Sequence, residues 1–444
     1  MNYIEKLENV TVLGAAGKMG SGILLLTALE MLNQKLKPEN KDKQFVLYAM
    51  DVSNAGLAGL LEYIKEQGIK YAEKNIVGLR KAYASRNDLV DNEEIIRQFA
   101  SDLTALVRTG TRIEPAFESR IIFEAVSEQP DLKLDLLLTI NRNSRQQPWF
   151  FSNTSAIPIA WLDERAGLMG RIMGVHFYNP PAVQKLLEVV KTETTNPELS
   201  YFVTEYLKNL GKIFVPSYDV AGFIGNGYFM RDIMFAETLV NQLQKDFTFS
   251  QSLYMVNKIS QDFLIRPMGI FQLVDYVGID VVQFIMSVMN SYSENEKIHS
   301  PLIDKFMELN IRGGQNPDGS QKDGFFQYKN GKMISLYDTG KRRYLQPEEY
   351  AGIGDTHLGP LPHSWQPWKK LVREKDKEGV LNVYFNELKS SPHPGATMAV
   401  EYLKKFREIG TGLVKNKVAF KFEDVNSVLT KGFHHVYGPV NSYF

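Results

Sequence analysis

A parallel sheet covered by helices, then an all-helical domain, then a further mostly helical tail is the architecture that three observations in this sequence predict. Residues 1–214 alternate short β-branched and aromatic runs with longer stretches at helical spacing, the pattern of an α/β domain. From 216 to about 263 and from 277 to 309, apolar residues recur at helical spacing, broken at Pro267-Met268-Gly269. The 444 residues are 44% hydrophobic and 23% charged, which suits a chain with a full core and material for about three domains. The expected division is 1–214, 215–330 and 331–444.

Strands are expected at 10–13, 45–50, 120–125, 149–152, 171–177 and 186–190. A helix from 19 to about 36 separates the first two and runs into a solvated turn, Lys37-Pro38-Glu39-Asn40. In the second domain, Gly313-Gly314-Gln315-Asn316-Pro317-Asp318-Gly319 reads as a loop, and Gly324-Phe325-Phe326-Gln327-Tyr328 as an aromatic closing strand or clasp. The Pro-, His- and Trp-rich stretch 358–368 reads as an irregular linker before a helix at 397–413. Val256-Asn257-Lys258-Ile259 followed by Gly269, and Val425-Asn426-Ser427-Val428 followed by Gly438, share an offset. Either the tail is a partial second copy of the helical domain or the similarity is chance.

Composition excludes several classes. Fifty-one Lys plus Arg balance fifty-one Asp plus Glu, so no surplus positive field draws in nucleic acid or an anionic membrane. With no cysteine there are no disulfides, thiolate nucleophiles or thiolate metal sites. The first residues lack a secretory signal, and no apolar run approaches the ~20 residues that span a bilayer. A soluble cytoplasmic protein is expected, with no membrane insertion. No metal site is indicated, the histidines other than His176 being scattered from His299 onward.

The run Val10-Thr11-Val12-Leu13 leads into Gly14-Ala15-Ala16-Gly17-Lys18-Met19-Gly20 and then a helix. Such a turn brings backbone N–H groups and a helix N-terminus onto a pyrophosphate. Its spacing, G-x-x-G-x-x-G, is one residue longer than the common form. The next strand ends at Asp51, where a carboxylate accepts hydrogen bonds from a ribose diol and repels a 2′-phosphate. No Arg follows closely, so NAD is favoured over NADP. The competing role for Asp51 is a helix cap, with Ser53 as its rival.

Three further segments can carry chemistry. Val175-His176-Phe177-Tyr178-Asn179-Pro180 places His176 at a strand end, and a strand returning from the Asn-Pro-Pro turn carries Glu188. Across that turn the carboxylate can reach the imidazole and orient its tautomer, unless His176 is a core histidine bonded to structure. Ser152-Asn153-Thr154-Ser155 crowds small polar side chains at the carboxyl edge of the sheet, where they also suit a helix cap. Ala221-Gly222-Phe223-Ile224-Gly225-Asn226 opens the helical domain, where a buried Asn can simply satisfy backbone groups.

Taken with Leu187-Glu188-Val189, Pro267-Met268-Gly269 and Asp275-Tyr276-Val277-Gly278, these motifs resemble the L-3-hydroxyacyl-CoA dehydrogenases of fatty-acid β-oxidation over residues 8–330. The resemblance implies a Rossmann-like NAD-binding domain followed by a helical domain, with the active site in the cleft between them. It implies that His176 is the general base, oriented by Glu188, and that Ser155 and Asn226 hydrogen-bond the substrate oxygens. It places Gly14, Gly17, Lys18, Met19, Gly20, Asp51, Glu128 and Asn153 around NAD. Lys133 and Lys74 would meet the CoA moiety of an acyl-CoA substrate, the alternative for Lys74 being a solvated helix face.

The chain departs from the family at the longer glycine turn and at Gly227, where Arg is usual and Arg231 is the candidate to compensate. Longer relatives carry a second helical repeat that packs as a dimer partner does, so either a homodimer or an internally pseudo-dimeric monomer is expected. An enoyl-CoA hydratase is an expected partner, since long relatives are often fused to one. Two alternatives keep the fold: a dehydrogenase of a small hydroxy or sugar acid, and a non-catalytic NAD-binding structural protein.

Overall fold

The computed structural model describes residues 2–293, 296–316 and 319–443. The loop expected at 313–319 lies partly outside them, at Pro317 and Asp318. The chain forms two compact units, Met1–Asp219 and Val220–Phe444. The segment after 330 therefore belongs with the helices before it and is not a third domain.

The first unit holds eight strands: β1 (Asn9–Leu13), β2 (Val46–Met50), β3 (Val107–Gly110), β4 (Ile121–Glu124), β5 (Trp149–Ser152), β6 (Ile172–Phe177), β7 (Leu186–Val190) and β8 (Ile213–Ser217). They form one sheet in the order β3-β2-β1-β4-β5-β6-β7-β8. Pairing is parallel from β3 to β6, antiparallel between β6 and β7, and parallel between β7 and β8. The strand order reverses between β1 and β4, and α/β sheets take ligands outside the carboxyl ends of the strands at such a point. The six expected strands are all present. The two that sequence reasoning missed are the edges of the sheet. β3 reads Val-Arg-Thr-Gly and β8 contains Pro216, both tolerated where one side of a strand needs no partner.

The helix Lys18–Lys35 follows β1 and buries residues nearly all round, including Ile23, Leu24, Ala28 and Met31. The core also holds an aromatic cluster in which Phe123, Phe151, Phe202 and Tyr206 pack ring against ring.

The second unit is not all-helical. After Phe223–Leu243, Phe249–Lys258, Ile270–Val277, Ile279–Ser291 and Pro301–Glu308 comes a three-stranded antiparallel sheet, β9 (Phe326–Lys329), β10 (Lys332–Asp338) and β11 (Arg343–Leu345), ordered β11-β10-β9. The Asn330-Gly331 turn between β9 and β10 explains it, since such a pair favours a tight hairpin. The expected aromatic clasp is its first strand. Buried Asp275 accepts hydrogen bonds from the Phe325 and Phe326 amides at 2.7 and 2.9 Å and from the Tyr328 hydroxyl at 2.9 Å. Burial pushes its carboxyl up to about 8.

The tail repeats a local motif of the helices before it. Phe249–Lys258 ends in a π-turn, Ile259–Phe263, and Phe422–Ser427 ends in another, Val428–Gly432. Asn257 accepts from the Phe271 amide at 3.1 Å, and Asn426 from the Val440 amide at 3.0 Å. Gly269 and Gly438 each lie where a Cβ would strike that asparagine, at 2.3 and 2.2 Å. Ile265 and His434 both take positive φ, 49° and 58°. The helix Pro394–Lys415 packs on Phe223–Leu243 through the ring pairs Tyr228–Phe406 and Phe235–Tyr402. No single helix among the described residues is long and apolar enough to cross a membrane, and the apolar pair Ile270–Val277 and Ile279–Ser291 is bent by 91°.

Candidate active site

The glycine turn lies between β1 and the helix Lys18–Lys35. Gly14 has φ 73°, and a Cβ there would meet the Ala125 carbonyl oxygen at 2.5 Å; one on Gly20 would lie 2.0 Å from the Gly14 oxygen. The loop is thus a cradle that side chains would fill. The helix has Gly17 at its N-cap and no side-chain cap, which leaves its first turn suited to an anion. The extra residue of the turn has a definite role: the Ala16 amide donates to Asp51 Oδ2 at 3.0 Å. Asp51 Oδ1 accepts from the Ser53 amide at 3.1 Å, while Ser53 itself caps the next helix. Each carboxylate oxygen keeps a lone pair for a ribose hydroxyl. Lys18 and Gly17 are exposed, Met19 half-buried, and the set fits a dinucleotide.

Beside it, at the ends of β4 and β5, lies a buried ionic network. Glu124 and Lys133 are 0% and 1% exposed and pair at 2.7 Å. Glu124 also accepts from Ser152 Oγ at 2.6 Å and from the Val126 amide at 2.9 Å. Lys133 reaches Glu128 at 3.0 Å. Glu128 Oε1 in turn accepts from Thr154 Oγ1 and from the Ser155 and Ala156 amides at 2.5, 2.7 and 3.1 Å. Burial alone would push the Glu128 carboxyl up, but Lys133, Thr154 and Ser155 hold it below the ordinary range. Burial likewise acts to depress Lys133, and Glu124 and Glu128 more than reverse it. The expectation that Lys133 meets CoA is therefore corrected: its ammonium is buried between two carboxylates. A lysine nine residues after a strand-end glutamate, on the inward face of Pro130–Asn143, was the signal available in the sequence.

On the antiparallel pair β6–β7, His176 sits directly across from Glu188. His176 Nδ1 lies 3.3 Å from Glu188 Oε1; the ring is 12% exposed and the carboxylate 0%. Tyr178, from the turn that follows, donates its hydroxyl to the same Oε1 at 2.9 Å. Asn153 is drawn into the frame, its Oδ1 accepting from the Phe177 amide at 2.9 Å and tying the end of β5 to β6. Two groups here escaped sequence reasoning. One is the Tyr178 hydroxyl; the other is Asn179, whose Oδ1 is buried without a partner among the described residues and so offers an acceptor to a bound molecule.

Two expected residues lie on other elements of the chain. Lys74 is on the exposed face of Asn54–Ala82, lining a surface hollow of about 590 Å³ with Lys37 and Lys81. Asn226 belongs to the second unit, in the first turn of Phe223–Leu243. In the same helix, Arg231 pairs with Glu296 and donates to the Gly227 carbonyl at 2.6 Å, so it is engaged next to the position where the usual Arg is missing.

Residues 9–220 match the model of the 3-hydroxyacyl-CoA dehydrogenase NAD binding domain, and 233–323 that of the 3-hydroxyacyl-CoA dehydrogenase C-terminal domain. The mitochondrial hydroxyacyl-coenzyme A dehydrogenase of Homo sapiens is 26% identical over 73% of this chain and 92% of its own. A probable 3-hydroxybutyryl-CoA dehydrogenase of Bacillus subtilis is 25% identical over 73% and 98%. The crystal structure of 3-hydroxybutyryl-CoA dehydrogenase from Escherichia coli K12 covers 98% of this chain and 90% of its own, with TM-score 0.64 and 16% identity. That breadth extends the fold likeness to the tail.

Proposed function

The chain belongs to the 3-hydroxyacyl-CoA dehydrogenase family and is an NAD-dependent oxidoreductase of that family, and from this premise we propose that it interconverts an L-3-hydroxyacyl-CoA and the 3-ketoacyl-CoA, with His176 as general base. The observation that carries the reading is the His176–Glu188 pair across β6 and β7, at 3.3 Å. With Nδ1 turned to the carboxylate, Nε2 is the nitrogen that takes the C3 hydroxyl proton. Glu188 balances the charge that develops on the ring and holds the tautomer. NAD, when bound, supplies the acceptor for the hydride leaving C3.

Ser155, its loop clamped by Glu128, hydrogen-bonds the substrate oxygen and fixes its distance from the imidazole. Asn226 contributes a further hydrogen bond to substrate. The glycine turn receives the pyrophosphate, and Asp51 the ribose diol. Lys74 is the basic group offered to the CoA phosphates.

The test is oxidation of NADH with acetoacetyl-CoA, followed by loss of its absorbance, against NADPH and free acetoacetate. Turnover is expected with NADH and the thioester and to be far weaker with either control. Equal turnover of free acetoacetate would sink the acyl-CoA assignment.

A further inference from the structure

We infer that Tyr178 is a positioning residue of the His176–Glu188 pair, its hydroxyl fixing the carboxylate oxygen that the imidazole faces. The inference rests on the reading of His176 as base. The distances state the arrangement: Tyr178 Oη to Glu188 Oε1 is 2.9 Å, and His176 Nδ1 to the same oxygen is 3.3 Å. The tyrosine and histidine rings are 5.3 Å apart at 36°. Burial, then the charge of Glu188, pushes the phenol well above its ordinary range, so the hydroxyl stays a donor.

Glu188 is wholly buried, and a polar group there is costly unless donors meet it. An imidazole N–H is one such donor, but it comes and goes with the tautomer. A tyrosine two residues further along the chain supplies a donor independent of the catalytic cycle. It anchors the oxygen through the step in which His176 gains and loses its proton. Tyr178 thus sets where Glu188 sits and, through it, the Nδ1–H tautomer.

The variant Tyr178→Phe removes the oxygen and keeps the ring. Its kcat is expected to fall about threefold to thirtyfold, less than for loss of the Glu188 charge, because the bond acts on the ring only through that carboxylate. KM for both substrates should stay within about twofold, since no binding contact is lost. Site-selective ¹⁵N spectra of His176 should show a smaller share of the Nδ1–H tautomer. In a Glu188→Gln background the substitution should have no further effect on kcat, because its route runs through that carboxylate. Placing 3-fluorotyrosine at 178 keeps the packing and the donor and should restore kcat, which covers the case where Tyr178→Phe folds poorly. Unchanged kcat and ¹⁵N spectra in Tyr178→Phe, or an equal loss in the Glu188→Gln background, would overturn the inference. The reading of His176 as base fails separately, through an active His176→Ala enzyme.

Discussion

Two carboxylates of the first unit, the half-buried Glu128 and the wholly buried Glu188, are held in opposite ways. Glu128 is held by a permanent cation, Lys133, and by the Thr154 hydroxyl and two backbone amides. Glu188 is held by the Tyr178 hydroxyl and by the His176 imidazole. A carboxylate locked to a lysine cannot respond to a proton arriving nearby, because its charge is already balanced. One that faces an imidazole can respond, and its energy changes when the ring is charged. The first arrangement builds the Ser155 loop, and the second is the pair to which we assign proton chemistry, on neighbouring strands.

The largest effect should follow removal of the responsive ring. His176→Ala is expected to cut kcat by about 10²- to 10⁴-fold while leaving NAD affinity within about twofold. Isothermal titration beside steady-state kinetics checks both, and a variant of near-normal rate would remove the chemical half of the contrast. Next comes the static pair. Lys133→Met leaves Glu124 and Glu128 buried without their cation, and chemical denaturation should show a loss of about 3–5 kcal/mol. Adding Glu124→Gln should recover part of that loss, since one uncompensated charge goes with it. If Lys133→Met were as stable as the parent, the network would not be a scaffold of the site.

Glu188→Gln keeps the shape and removes the charge. It should lower kcat by about 10- to 100-fold, less than loss of the ring itself, with little change in the KM for NADH. A fall in stability with kcat intact would instead make Glu188 a second Glu128. The smallest effect is at the cofactor end, where Asp51→Ala should weaken NAD about tenfold, with kcat near normal at saturation. Because Asp51 also receives the Ala16 amide, the same variant should loosen the turn, which hydrogen exchange at Ala16 would detect.

The parts legible in the sequence were those written in local pattern. The six inner strands follow from short apolar runs, the glycine turn from its spacing, and Asp51 from its place after a strand. The His176–Glu188 pairing followed from two strands joined by a turn rich in proline. What sequence reasoning missed was non-local. Lys133 was expected to meet the CoA moiety, because its nine-residue spacing from Glu124 does not say by itself that its helix turns that face towards the glutamate. Tyr178 read as part of a motif, since its partner lies on another strand. The sheet β9–β11 hid inside a region whose helices dominate the pattern, and Pro216 disguised an edge strand.

By itself, then, the sequence determined the kinds of element, their order and the residues able to do chemistry, because period, turn residues and functional groups are properties of short stretches. Only the tertiary structure decided which charges are buried, which oxygen Tyr178 and His176 share, and that the tail folds into one compact unit with the helices before it, Val220–Phe444. Burial and hydrogen-bond partnership depend on what other segments bring to the same few ångströms, and no window along the chain contains that information.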